Sequence, residues 1–321
     1  MNDNIRGDRI LVVGGTGFMG SHLVRRLVAE GAEVHLLVRP TSSPVRLDDV
    51  VERVRLHQGD LLDYASLHQI ARSVRPLKIF HLGAYTNVER SFTRATEMAQ
   101  VIFGGAINLL HALDGTGYDC FVYVGTCEEY GDNPVPFRED QAPNPVSPYS
   151  VAKAAGTLFC QMACRSLGCP CVILRPFLTY GPFQDLNRFI PQAIVAGLRG
   201  EAFKMTAGEQ GREFNYVDDI VEGFIRAVTS PEAIGEIINL GSGVQYRMRE
   251  LVEMIFRLVQ SPVAPAIGAL PYRPVESWDF YCDNSKAKRI LGWEPQVPLE
   301  EGLRRTVEWY RETMGSGLWP A

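Results

Sequence analysis

The chain has 321 residues, is 46% hydrophobic and 21% charged, and carries a net charge of −5. That length can bury the core of one large domain or two modest ones. The weakly acidic balance, with basic residues scattered, offers no footprint for nucleic acid or an anionic membrane surface. No apolar run approaches a membrane span, and the opening "MNDNIRGDRILVVGG" lacks the layout of a signal peptide. The seven cysteines show no zinc-type spacing, so no metal and a reducing cytoplasmic setting are expected.

In chain order, strands are predicted at Ile10–Val13, Val34–Val38, Arg53–His57, Lys78–Leu82, Phe121–Val124 and Val172–Leu174, with amphipathic helices between them such as Phe18–Glu30 and Ala95–Leu113. This rhythm predicts βαβ crossovers and an α/β fold, a Rossmann-type doubly wound parallel sheet. After Gly181-Pro182 the pattern loosens into a helix (Phe189–Leu198), a strand (Phe203–Thr206), a helix (Val217–Thr229) and "EIINLGSG". A helix (Met248–Gln260), a Pro-rich passage and two closing helices near Ser285–Leu291 and Leu299–Arg311 complete the chain. The expected organisation is a dinucleotide-binding domain over 1–181, rejoined by about 215–243, and a smaller substrate-binding lobe over most of 182–321.

"ILVVGGTGFMGSHLV" sets Gly14, Gly17 and Gly20 between a strand and an amphipathic helix. Glycines there permit a tight turn and close approach of backbone to a pyrophosphate, which the helix N-terminus binds. Thr16, Phe18 and Met19 fill the same turn. An NAD site usually offers Asp or Glu at the end of the second strand; "EVHLLVRPTSS" has Val38 and Arg39 there, with Ser42 beyond. Arginine with hydroxyls suits a ribose 2′-phosphate, so NADP is expected, with NAD the alternative. Asp60 and Leu61 in "GDLLD" are placed against the adenine.

In "SPYSVAKAAG", Tyr149 and Lys153 stand at i, i+4 and share a helical face. A lysine beside a phenol lowers its pKa, so tyrosinate can take a proton from a substrate hydroxyl as hydride leaves the same carbon. Thr126, at the end of the preceding strand in "VGTCEEYG", can give a hydroxyl to the same oxygen.

With these residues in place, the chain resembles the extended short-chain dehydrogenase/reductases that act on nucleotide sugars. The resemblance runs through "GGTGFMG", "GDLLD", "HLGA", "YSVAK", "LRPFLTYGP", "GREFNYVDD", "NLGSG" and "CDNSKAKRILGWEPQVPLEEGL". It implies a nucleotide-diphosphate sugar bound between the lobes, Leu82 and Ala84 at the cofactor, and Asn87, Thr126 and Asn187 at the substrate. It also implies that Arg212 in "GREF" and Arg273 in "YRP" hold the diphosphate, which paired arginines suit chemically. Two positions depart from the family pattern: Leu178 and Ile102 stand where asparagines are common.

The resemblance further implies oxidation at carbon 4 as the first step, after which members diverge. Cys127 and Glu128 fall where related dehydratases carry an acid and a base, and the Cys-Glu pair is similar to that of UDP-hexosamine 5,6-dehydratases. A neutral thiol can donate a proton and a desolvated Glu can accept one. An NDP-sugar dehydratase of 4,6- or 5,6-type is therefore the leading expectation. The "EYG" spelling with Glu129 is similar to 4-ketoreductases, which are the alternative together with 4-epimerases; a non-catalytic nucleotide-binding protein is the minority reading. Apolar residues over more than one face of the Ala95–Leu113 and Tyr149–Leu167 helices predict a homodimer, and the resemblance implies a four-helix bundle as its interface.

Overall fold

The computed structural model describes residues 5–83, 89–273 and 276–316. Its first half alternates β1 (Arg9–Val13), α1 (Phe18–Ala29), β2 (Glu33–Val38), β3 (Arg55–Gln58), α2 (Tyr64–Val74) and β4 (Lys78–His81). Helices α3 (Ala95–Met98) and α4 (Gly105–Leu113) follow, joined by a π-helical stretch at Ala99–Gly104, then β5 (Cys120–Val124), α5 (Pro148–Leu167) and β6 (Cys171–Pro176). The second half holds β7 (Thr179–Tyr180), α6 (Phe189–Arg199), β8 (Gly211–Glu213), β9 (Asn215–Tyr216) and α7 (Val217–Thr229). It closes with β10 (Ile237–Leu240), β11 (Gln245–Arg247), α8 (Met248–Val259), α9 (Ser285–Leu291) and α10 (Leu299–Ser316).

Seven strands form one parallel sheet in the order β10-β6-β5-β4-β1-β2-β3. The strand sequences explain it. β5 reads CFVYV and is buried along its whole length, as a strand covered by helices on both faces must be. One face packs on α1 and α7 through Leu23, Leu27, Ile220 and Phe224; the other packs on α2, α4 and α5 through Leu67, Ile70, Leu109 and Cys160. A third cluster, with Ile194, Leu251, Ile255 and Leu303, joins α6, α8 and α10 in the second half.

Three expectations are corrected. The third strand spans Arg55–Gln58 instead of Arg53–His57, because its pairing with β2 begins at His35↔Arg55 and Val51–Arg53 is spent on a 3₁₀ turn. Phe203–Thr206 makes one isolated bridge, Lys204 with Ala266, and is no strand of a sheet. The helix expected over Ala95–Leu113 contains the π-helical stretch, an inserted residue in the turn that passes Tyr149. Among the described residues, no helix is long and apolar enough to cross a membrane and no group of three or more His, Cys, Asp or Glu could hold a metal ion. All seven cysteines are free thiols.

Candidate active site

The sheet order reverses between β1 and β4, whose C-terminal ends open a crevice. Gly14 ends β1 with φ +86°, and a Cβ there would lie 3.0 Å from the Gly83 nitrogen beyond β4. The Gly17 N–H closes the turn on the Gly14 carbonyl (3.1 Å). A Cβ on Gly20 would run into that same carbonyl, so glycine is required where α1 crosses the turn. Helix α1 starts with no side-chain cap and no acidic residue in its first turn, which leaves its N–H groups and dipole to an anion. Thr16, Phe18 and Met19 are half-buried around this cradle. Its shape and charge fit the pyrophosphate of a dinucleotide.

Arg39 is exposed at the end of β2, and the turn there is closed by Arg39 N–H to Ser42 Oγ (3.1 Å) and Ser42 N–H to Arg39 O (2.9 Å). The Ser42 hydroxyl thus shapes the loop that presents Arg39. Asp60 accepts from Leu62 N–H (2.9 Å), and buried Leu61 packs beneath Gly105 while its carbonyl accepts from Asn108 (2.9 Å). Leu82 donates its N–H to the Val13 carbonyl (2.9 Å), which locks β4 to β1 at the crevice. Ala84 and Asn87 lie outside the described residues.

Thr126, Tyr149 and Lys153 come together at the end of β5. Ser147 caps α5 by accepting from Ser150 N–H (3.2 Å), Pro148 occupies the first turn, and Tyr149 and Lys153 follow on the buried face. The Thr126 hydroxyl lies beside the Tyr149 phenol and favours its ionised form. Lys153 Nζ donates to the carbonyls of Val124 (2.8 Å) and Gly83 (3.2 Å). Burial lowers its pKa to about 8, an effect partly offset by Glu129. Burial also pushes Tyr149 up, with the Thr126 hydroxyl acting in the opposite direction. Lys153 thus sits with its ammonium on two main-chain carbonyls, and desolvation is the largest influence on Tyr149.

The lip Thr126–Glu129 resolves into three different environments. Cys127 is buried in an aromatic cluster with Tyr130, Phe137, Phe177, Phe280 and Cys282. Burial, with Glu128 and Glu213 nearby, holds its thiol firmly protonated. Glu128 is half-buried; desolvation raises its proton affinity, against the opposing pull of Arg212 and Arg90. Glu129 is fully buried and ion-paired with Arg175, with Oε2 at 2.8 Å from Nη2 and 3.0 Å from Nε. Of the two carboxylates, Glu128 is the one that keeps accessible surface and no ion pair within the lip.

Arg212 sits on β8, held against β11 opposite Tyr246, and its guanidinium lies over the Phe280 ring at 5.9 Å. It is ion-paired with Glu276 (2.7 Å), both groups being largely buried. Arg273 and Asn187 are exposed, Arg273 on the loop that leads toward Glu276. Two residues escaped the sequence reading: Glu276, three positions after Arg273, which pairs with Arg212, and Arg90, in the segment after β4, which acts on Glu128. Neither lies in a spacing that signals chemistry. Ile102 is fully buried and packs with Met98 and Ala152 against Tyr149, so the departure from asparagine there gives an apolar wall.

The family model for GDP-mannose 4,6 dehydratase matches residues 11–306. The chain belongs to that family. Relatives within reach include the mouse dTDP-D-glucose 4,6-dehydratase, 31% identical over 95% of this chain and 89% of its own length. The UDP-glucose 4-epimerase of Mycolicibacterium smegmatis is 32% identical over 94% of this chain and 98% of its own. Among solved structures, a dTDP-glucose 4,6-dehydratase of Streptomyces venezuelae with NAD bound superposes with a TM-score of 0.87 at 30% identity, covering 97% of this chain and 99% of that one. The UDP-glucose 4-epimerase of Thermotoga maritima, with UDP-glucose, gives a TM-score of 0.88 at 30% identity over 95% and 99%. The relatives that share this fold therefore include both dehydratases and epimerases.

Proposed function

We propose that the chain is an NAD(P)-dependent nucleotide-diphosphate-sugar dehydratase, of 4,6- or 5,6-type. The observation that carries this reading is Glu128: a largely desolvated carboxylate with raised proton affinity, two residues beyond Thr126, whose hydroxyl accepts from the Glu128 N–H (3.3 Å). When bound, the nicotinamide supplies a hydride acceptor for carbon 4. Tyr149 takes the proton of the 4-hydroxyl while Thr126 holds that oxygen by a hydrogen bond. Lys153 sustains the charge of the pocket from below. The new ketone would acidify carbon 5; Glu128 removes that proton, and the protonated Cys127 thiol gives a proton to the departing 6-hydroxyl, which leaves as water. The hydride taken from carbon 4 would return to the sugar, at carbon 6 in the 4,6-type or at carbon 4 in the 5,6-type, so that no net oxidation remains. Arg212 and Arg273 supply the positive charge for the diphosphate, with Asn187 at the nucleotide; Arg212 is shared with Glu276, which the incoming diphosphate must displace.

A second reading, 4-epimerase, is supported by the similarity to UDP-glucose 4-epimerases of two bacteria. An epimerase has no use for a base at Glu128. Product masses from a panel of UDP-, dTDP-, GDP- and CDP-hexoses separate them: loss of one water supports dehydration, and an isobaric product with inverted carbon 4 supports epimerisation. Gain of two hydrogens on a 4-keto substrate with reduced cofactor supports the 4-ketoreductase.

For the cofactor we favour NADP, because β2 ends in Val38 and exposed Arg39 with no carboxylate for a ribose hydroxyl pair. NAD is the alternative, as in the Streptomyces venezuelae relative. Losing one charge-assisted contact is worth roughly 1.5–3 kcal/mol. Arg39→Ala is thus expected to weaken NADP binding by about 10- to 100-fold and leave NAD nearly unchanged, read by titration of protein fluorescence. Equal loss for both dinucleotides would remove the NADP preference.

We also favour a homodimer in a cytoplasmic setting. Val151, Leu158 and Leu167 are exposed along α5, and Phe103 stacks edge-on with Phe159 beside them, an apolar face that a second copy would cover. Sedimentation at micromolar concentration is expected to give twice the chain mass, and Leu158→Glu to halve it; a wild-type monomer would rule the dimer out.

A further inference from the structure

Glu129 takes no part in the chemistry assigned above, yet it is the most tightly held residue of the lip. Its Oε1 accepts from Thr126 N–H (3.0 Å), and its own N–H donates to the Thr126 carbonyl (3.2 Å), so both main-chain groups of Thr126 are tied to one residue. Thr126 stays extended and turns its hydroxyl toward Glu128 N–H (3.3 Å) and Tyr149. The other carboxylate oxygen takes two N–H groups of Arg175 on β6, and Arg175 lies 4.5 Å over the Tyr130 ring. Tyr130 in turn donates to Asn239 on β10 (2.7 Å). A Cβ on Gly125 would strike Glu129 Oε1 and come within 3.4 Å of Thr157 Oγ1, one turn beyond Lys153 on α5. The carboxylate therefore lies where the end of β5 meets the Lys153 turn.

Among the described residues, the groups facing Lys153 are few. Glu129 from the lip and the Cys160 thiol from α5 favour its charge, while His81 on β4 is kept neutral by burial and by Lys153 itself. The Tyr123 ring of β5 lies 5.3 Å from Nζ, and Tyr149 stands one turn earlier on α5. Glu129 is the only full negative charge among them. A buried ion pair is poor evidence for stability, since well-packed apolar residues often serve as well, and this one spans two strands to reach Thr126.

We propose that the Glu129–Arg175 pair is a positioning device for the reaction: Glu129 fixes the Thr126 hydroxyl toward Tyr149 and supplies the negative charge that faces Lys153. The inference rests on the assignment of Thr126, Tyr149 and Lys153 to carbon-4 oxidation, and not on whether water is then lost. Three variants test it by kcat, nucleotide-sugar KM, pH profile and thermal midpoint. Glu129→Asp keeps the charge and shortens the reach; kcat is expected to fall about 10-fold with KM nearly constant, because small misplacements are costly, and the alkaline limb should not move. Glu129→Gln leaves Arg175 buried and unpaired and risks unfolding, so Glu129→Gln/Arg175→Gln is made beside it; its amide still accepts from Thr126. In that double variant the alkaline limb is expected to move down by roughly one pH unit, as loss of a facing carboxylate lowers a lysine's pKa. A folded Glu129→Asp with wild-type kcat overturns the proposal whether or not the double variant folds, as does a double variant with the wild-type pH profile. Tyr149→Phe is run in parallel: if it is as active as wild type, the assignment of the oxidation step fails instead.

Discussion

Tyr149→Phe is expected to lower kcat by about 10²- to 10⁴-fold, the range that a positioned acid–base group contributes. The ring keeps its packing against Met98, Ile102 and Ala152, so the thermal midpoint and cofactor affinity should stay close to wild type. Only the hydroxyl that meets Thr126 is lost. The pH profile carries a second expectation. The proposed mechanism uses Lys153 as an ammonium; burial has brought its pKa from the ordinary lysine value down to about 8, so on the alkaline side activity should decline as pH rises through that value. An alkaline limb at the ordinary lysine value would mean that Lys153 is not the group that titrates.

Glu128→Gln carries the second large effect, and it is selective. The amide keeps the shape of the side chain but cannot accept the carbon-5 proton, so water loss should fall by about 10²- to 10⁴-fold. Oxidation of carbon 4 should survive, visible as reduced cofactor in a single turnover. In the wild type, burial raises Glu128 above the usual carboxylate range, with Arg212 and Arg90 opposing it. The base form is lost as pH falls through that raised value, so the acid limb of the dehydration step should lie above the pH of an ordinary glutamate. Rapid-quench product masses beside cofactor absorbance separate the two steps; a variant that dehydrates at the wild-type rate would remove Glu128 from the mechanism.

Local patterns made much of this legible. The glycine turn, the apolar run of β5 and the Tyr149–Lys153 spacing each lie within one strand or one helix, where periodicity and steric demand act directly. Helices α7 and α9 match the predicted Val217–Thr229 and Ser285–Leu291 for the same reason. What escaped depends on distant partners. Glu129 reads like a second surface acid beside Glu128, and only the pairing of β5 with β6 brings Arg175, 46 residues away, onto it. Glu276 meets Arg212 across 64 residues for a similar reason. The i, i+4 spacing puts Lys153 on the buried face with Tyr149, but its carbonyl partners belong to β5 and to the turn after β4, which no helical spacing reveals. Phe203–Thr206 has the composition of a strand, but its main-chain bonds to Ala266, Gly268 and Leu270 form one isolated bridge and no ladder. The aromatic surroundings of Cys127 come from Phe177 and Phe280, far along the chain, which its own neighbours in sequence do not show.

The claim that the lip removes water is tested most directly with a nucleotide-diphosphate hexose deuterated at carbon 5. The wild-type enzyme is predicted to release that deuterium to solvent as the product loses water, and Glu128→Gln to retain it while still oxidising carbon 4. Turnover by the wild type with the carbon-5 label kept and no water lost would contradict the assignment and leave the chain an epimerase.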